Sequence, residues 1–182
     1  MPFHTCNIQG LVIVEPTVFE DSRGYFFESY NEGLFKQNGI AAAFIQDNQS
    51  RSSYGVIRGL HYQQPPHAQA KLVRVLQGAI LDVAVDIRKD SETYGQHFAI
   101  ELSADNRKQL FLPEGFAHGF SVLSEVAVVL YKCNAFYNKS SEGGIRYDDP
   151  QLAIDWKVGR SEAVVSEKDA QLPLFANAVS LF

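Results

Sequence analysis

Cysteine is scarce. Cys6 and Cys133 are the only two in 182 residues. Neither has a cysteine neighbour, which argues against a redox pair or a cysteine-built zinc site. Reduced thiols and a cytoplasmic protein are the expectation. Excess positive charge is lacking as well: 16 Lys and Arg stand against 21 Asp and Glu, for a net charge of −5. That excludes a general nucleic-acid binder, whose surface must collect phosphates, but leaves room for a local cationic pocket. No apolar run is long enough to cross a bilayer. The opening MPFHTCNIQGLVIVEP lacks a basic start followed by a long apolar stretch, so neither a membrane span nor a secretory signal is expected. Repeats, low-complexity tracts and long linkers are missing, and a chain of this length reads as a single domain over residues 1–182.

Aromatic residues and short β-rich runs are what the chain does have. Phe and Tyr number 13 and 8, a bias that suits pleated faces. The runs LVIVEP, GYFFESY, AFIQDNQS, VIRGLHYQ, AKLVRVLQG and AILDVAVDIR follow one another between turn residues, and HFAIELS, RKQLFLP, GFSVLS and AVVLYKCNAFY come after them. In AILDVAVDIR, Leu81, Val83, Val85 and Ile87 share one face while Asp82 and Asp86 share the other. At least ten such strands predict an all-β sandwich or barrel. Helical signals are few. NEGLFKQNG fits one short helix ended by Gly39. SEKDAQLP fits another, with Ser166 as cap, Asp169 three residues on and Pro173 as stop. In PEGFAHGF, Pro113 and Gly115 suit a tight turn that sets His118 near the start of a strand.

The basic residues are concentrated oddly. Arg58, His61, Lys71 and Arg74 crowd into VIRGLHYQQPPHAQAKLVRV, on two apolar strands that flank Pro65-Pro66. His4, His67 and His97 read as structural or solvated. His61 and His118 sit in GLHYQ and PEGFAHGF, which resemble the two halves of the cupin motif. A metal cupin gathers several His and an acid on one ion. Here Gln63 stands two residues after His61 and no acid follows before Lys71, so the expectation is the barrel without a metal. Lys71 is in phase with Val73 and Val75 and is the cation available to point inward; a snorkelling surface lysine is the bland alternative. Tyr131 is either a packing residue or a proton donor in a polar cavity. Arg58 and His61, three apart, belong on opposite strand faces unless Gly59 marks a bulge. Arg74 alternates away from Lys71 and reads as structural.

These segments together resemble one family, the dTDP-4-dehydrorhamnose 3,5-epimerases, cupin-like enzymes of deoxysugar synthesis. The resemblance runs in order through FEDSRGYFFESY, FIQDNQSRS, GVIRGLHYQ, KLVRVLQG, LDVAVDIRKDS, LSADNRKQLFLPEGFAHGF, LYKCNAFY and SSEGGIRYDDP to SEKD, from about Leu11 to Leu174. It implies a cupin-type jelly-roll barrel with a few short peripheral helices, an N-terminal strand segment and a C-terminal helical tail. It implies inversion of both carbons beside the ketone of dTDP-4-dehydro-6-deoxyglucose, with no cofactor and no metal. It also implies a homodimer in which amino-terminal strand residues reach the partner's site.

By the same matching, His61 resembles the base, with a reference pKa near neutrality. Asp169 resembles the carboxylate that orients it, Lys71 the enolate stabiliser, and Tyr131 the acid on the opposite sugar face. Arg23 and Arg58 suit the diphosphate. Glu28, Gln46 and Asn48 resemble nucleotide and sugar contacts, Phe26 and Tyr137 resemble residues that stack on thymine, and His118 is similar to a second cavity histidine that touches the sugar. Glu142 and Lys168 match the binding rim. The rival readings are a single-site epimerase or 3,4-ketoisomerase on the same scaffold, a non-catalytic sugar-nucleotide-binding cupin, and a metal-dependent cupin oxygenase.

Overall fold

The structure, a computed structural model, describes residues 1–182. Two antiparallel sheets face each other. The first has six strands in the order β1 (Phe3–Thr5), β2 (Val12–Val14), β10 (Gln109–Leu112), β7 (Lys71–Gln77), β12 (Val126–Cys133) and β5 (Gln46–Ser53). The second has five: β13 (Glu142–Gly144), β6 (Ile57–Gln63), β11 (Phe116–Val122), β8 (Ala79–Asp86) and β9 (His97–Ser103). A separate ribbon pairs β3 (Phe19–Asp21) with β4 (Gly24–Phe26). This is the expected all-β jelly-roll architecture.

Alternation along the strands sends one set of side chains between the sheets. A cluster of 14 buried residues fills that space, with Val73 and Val75 from β7 and Leu110 and Leu112 from β10 meeting Ile80 and Ala84 from β8 and Phe120 from β11. Outside the five-stranded sheet, a second cluster packs Leu81, Val83, Val85 and Ile87 under Ile145, Trp156 and Phe175 of the C-terminal segment. As a result β8 is buried on both faces, although its sequence alternates like a half-exposed strand. Outside the six-stranded sheet, Phe35 packs with Val14, Leu72 and Phe111.

Both predicted helices form. Helix α1 (Glu32–Gln37) is capped by Asn31, whose side chain accepts from the Leu34 amide, and Gly39 follows it at φ +82°. Helix α2 (Glu167–Ala170) starts at Ser166, whose hydroxyl accepts from the Asp169 amide at 3.1 Å. Gly115 takes φ +87° ahead of β11, as the PEGF turn requires.

Candidate active site

A cavity of about 270 Å³ opens at one end of the space between the sheets. The five-stranded sheet contributes Arg58, His61, His118 and Phe120 to its wall, and the six-stranded sheet contributes Gln46, Asn48, Ser50, Lys71 and Tyr131. Tyr137 and Glu142 stand at its margin. The strand register explains the grouping. His118 lies opposite His61 across β11 and β6, Tyr131 opposite Asn48 across β12 and β5, and Cys133 opposite Lys71 across β12 and β7.

Arg58 and His61 share the cavity because β6 is irregular at Gly59. Phe120 pairs with Arg58 and His118 with His61, so two steps along β11 answer three along β6. The extra residue shifts the alternation by one. Gly59 sits at φ +112°, and a Cβ there would lie 2.7 Å from both Gly119 Cα and the His118 carbonyl oxygen. Only glycine fits that backbone and that close approach.

His61 has a firm anchor. Its Nε2 lies 2.7 Å from Asp169 Oδ1, and the Gly59 amide donates to Asp169 Oδ2 at 3.1 Å. The Asp169 side chain is 6% exposed and that of His61 40%, so the pair has a buried end and an accessible end. Burial pushes the Asp169 carboxyl up. Hydrogen bonding and the charge of His61, with the Gly59 amide and the Ser166 hydroxyl, outweigh burial and hold it below the usual carboxylate range. Asp169 therefore stays an acceptor, and the imidazole is fixed with Nε2–H toward it and Nδ1 free.

Across the cavity, Lys71 points inward, as its phase with Val73 predicts. Its Nζ lies 6.0 Å from the centre of the Tyr131 ring. Burial lowers the Lys71 ammonium from its ordinary value, while Cys133 and Asp82 pull it back up. Burial also raises the Tyr131 phenol, as does Cys133, with Arg58 opposing; the group is protonated at neutral pH and able to donate. Arg58 is steadied by Ser52, whose Oγ accepts from Nε at 3.0 Å. Gln46 donates to Asn48 at 3.1 Å and accepts from the Tyr137 amide at 3.1 Å, which ties the loop carrying Tyr137 to the six-stranded sheet. Ser50 Oγ is buried with no partner.

Gln63, where a metal cupin carries a ligand histidine, is engaged elsewhere. Its amide donates to the His67 and Phe136 carbonyls at 2.6 and 3.2 Å and accepts from the Asn138 amide at 2.7 Å. It pins the loop beside the cavity. No group of three or more His, Cys, Asp or Glu side chains is arranged to hold a metal ion.

Four expected site residues lie elsewhere in the chain. Arg23 and Phe26 belong to the β3–β4 ribbon and line a separate surface groove. The ribbon pairs with neither large sheet, which is why its side chains do not enter this chain's cavity. Arg23 is 88% exposed at its side chain and paired with Asp21 at 2.5 Å. Glu28 follows the ribbon and accepts from Asn31 at 3.1 Å. Lys168 reaches back from α2 to Glu142 at 2.8 Å, and it lines two adjoining cavities rather than the main one.

The sequence reading also passed over residues that shape the site. Alternation puts Asp82 on the face opposite Leu81 but names no partner for it. Its Oδ1 lies 2.8 Å from His118 Nε2, with both side chains buried. A carboxylate in mid-strand between apolar neighbours was the available signal. Ser52 and Ser50 carry no comparable sign.

A two-sheet barrel with an anchored imidazole on one wall, a phenol on the other and a lysine beside it is the layout of an acid–base enzyme on a cupin-type fold. The comparisons with known proteins make this specific. A family profile described as dTDP-4-dehydrorhamnose 3,5-epimerase matches residues 5–177. The chain is 48% identical over 181 residues to the dTDP-4-dehydrorhamnose 3,5-epimerase of Methanothermobacter thermautotrophicus, covering 98% of this chain and 97% of that one. A crystal structure of the enzyme of that name from Elizabethkingia anophelis superposes with a TM-score of 0.93 at 52% identity, over 97% of each chain. A dTDP-6-deoxy-D-glucose-3,5-epimerase from Legionella pneumophila, in complex with dTDP-4-keto-L-rhamnose, does so with a TM-score of 0.93 at 47% identity, over 97% of this chain and 93% of that one. The protein belongs to the dTDP-4-dehydrorhamnose 3,5-epimerase family.

Proposed function

We infer that the protein is an isomerase that converts dTDP-4-dehydro-6-deoxy-D-glucose to dTDP-4-dehydro-L-rhamnose by inverting C3 and C5. The observation that carries the chemistry is that His61 and Tyr131 enter one cavity from opposing sheets. Inversion beside a ketone removes a proton from one face of the ring and returns one to the other. A base and an acid on facing walls meet that requirement.

In the reading we propose, Nδ1 of His61 takes the proton, because Nε2 is committed to Asp169. The electron pair moves onto the C4 oxygen. Lys71 meets that developing negative charge in a site where burial makes the interaction stronger than in water. Tyr131 then protonates the carbon from the far side, and the imidazolium and phenolate so formed return to neutral by proton exchange with water before the second carbon reacts. Arg58 binds the diphosphate, Gln46, Asn48 and His118 hold sugar and nucleotide, and Tyr137, which is 56% exposed, stacks on thymine. Glu142 and Lys168 form the rim ion pair. At about 270 Å³ the cavity is at the small end of ligand sites, which suits a hexose inside with the nucleotide extending to the mouth.

We also propose a cytoplasmic homodimer of single-domain subunits. The β3–β4 ribbon exposes Phe19, Tyr25 and Phe26 at 64%, 59% and 70%, beside an Arg23 paired with Asp21. Such a patch suits a protein interface. It would deliver Arg23, Phe26 and Glu28 to the cavity of the partner. The two free cysteines suit a reducing compartment.

The test is product identity. Incubation with dTDP-4-dehydro-6-deoxy-D-glucose, coupled to a 4-ketoreductase, is expected to give a sugar nucleotide with the L-rhamno configuration. A product inverted at one carbon alone would replace this reading with a single-site epimerase.

A further inference from the structure

The mechanism above uses one His–Asp pair, and the cavity has a second. His118 lies beside His61 across the β6–β11 register, and its Nε2 is 2.8 Å from Asp82 Oδ1. Asp82 itself is fully buried and does not line the cavity; it stands behind His118. Its other oxygen, Oδ2, is buried with no hydrogen-bond partner. An unpaired carboxylate oxygen in a protein interior lowers stability, so folding alone does not account for it.

Resting on the epimerase reading, we propose that Asp82 is a positioning residue: it fixes the His118 ring with Nδ1 toward the sugar. With Nε2–H given to Asp82, the remaining ring nitrogen is the one available to a sugar oxygen. Asp169 and Asp82 thus do parallel work. Asp169 orients the base, and Asp82 orients the histidine that holds the sugar.

The test combines kinetics with a spectroscopic reading of His118. Asp82→Asn keeps the size but removes the charge and lets an amide NH₂ face His118 Nε2, which favours the tautomer with Nδ1 protonated. It is expected to lower kcat by about 10–100-fold while KM and dTDP affinity stay within about threefold. The melting temperature should hold or rise, because the unpaired charge is gone. In a His118→Asn background, the same change should have little further effect, since Asp82 acts largely through His118. In the unaltered protein, ¹⁵N spectra of labelled histidine should show a proton on His118 Nε2. An unchanged kcat in Asp82→Asn, an equal penalty in both backgrounds, or a bare Nε2 at His118 would overturn the proposal. If Asp82→Asn does not fold, the ¹⁵N spectrum of the unaltered protein decides alone. Inactivity of the unaltered protein on the keto sugar would instead count against the epimerase reading.

Discussion

His61 Nε2 lies 2.7 Å from Asp169 Oδ1, although 108 residues of chain separate them. The bond joins a strand of the five-stranded sheet to a one-turn helix near the C-terminus. Ser166 starts that helix, and the Gly59 amide holds the second carboxylate oxygen. The bulge that turns His61 into the cavity thus also supplies the donor that steadies its partner. Base orientation and strand irregularity are one local design.

Asp169→Asn should therefore damage catalysis more than binding. An amide NH₂ facing Nε2 favours the tautomer with Nδ1 protonated, which is the wrong form for a base. We expect kcat to fall by about 10²–10⁴-fold, with dTDP affinity, measured by calorimetry, nearly unchanged.

Tyr131→Phe removes the acid and keeps the base. His61 can still take a proton and return one to the same face. In heavy water this variant should exchange the proton beside the ketone with retention of configuration. Net inversion should fall by about 10²–10⁴-fold. NMR of the recovered sugar nucleotide reads both quantities.

Mixed dimers test the partner contribution of the ribbon. His61→Asn and Arg23→Ala homodimers should each be impaired. After subunit exchange, a mixed dimer has one site with an intact His61 and an intact Arg23 from the other chain. Activity should rise above that of either parent if the ribbon crosses over, and stay flat if Arg23 serves its own chain.

Asp86 offers a stability prediction away from the chemistry. Its side chain is fully buried. Burial raises its carboxyl, but hydrogen bonds from Arg88, Ser91 and Thr93 prevail and lower it from 3.8 to about 2. A depressed carboxylate contributes stability above its unfolded value, and that stability is lost as pH falls through the folded one. The contribution is about 2 kcal/mol near neutrality. Asp86→Asn should lose roughly that much at pH 7 by denaturant unfolding. The gap to the unaltered protein should close between about pH 4 and pH 2.

Much of this was legible in the sequence. Short alternating runs mark the strands, Ser166 marks the start of one helix and Gly39 the end of the other. Gly59 between Arg58 and His61 gave the bulge, because two basic groups three apart share a face only if the phase slips. Other features were hidden for physical reasons. Alternation assigns faces but not partners, so Asp82 was seen on its strand without His118. Burial of the outer face of β8 comes from the C-terminal segment, a non-local contact that periodicity does not report. The GYFFESY run is legible as a strand, but the separation of the β3–β4 ribbon from both sheets, and hence of Arg23 and Phe26 from the cavity, is set by tertiary packing.

The most direct measurement is solvent deuterium incorporation. The purified protein is incubated with dTDP-4-dehydro-6-deoxy-D-glucose in heavy water, and deuterium is counted at each ring carbon by NMR. The account predicts deuterium at C3 and C5 with inversion at both, and none at C2, with His61→Asn showing neither exchange nor inversion. Full turnover without solvent deuterium, or unimpaired turnover by His61→Asn, would contradict it.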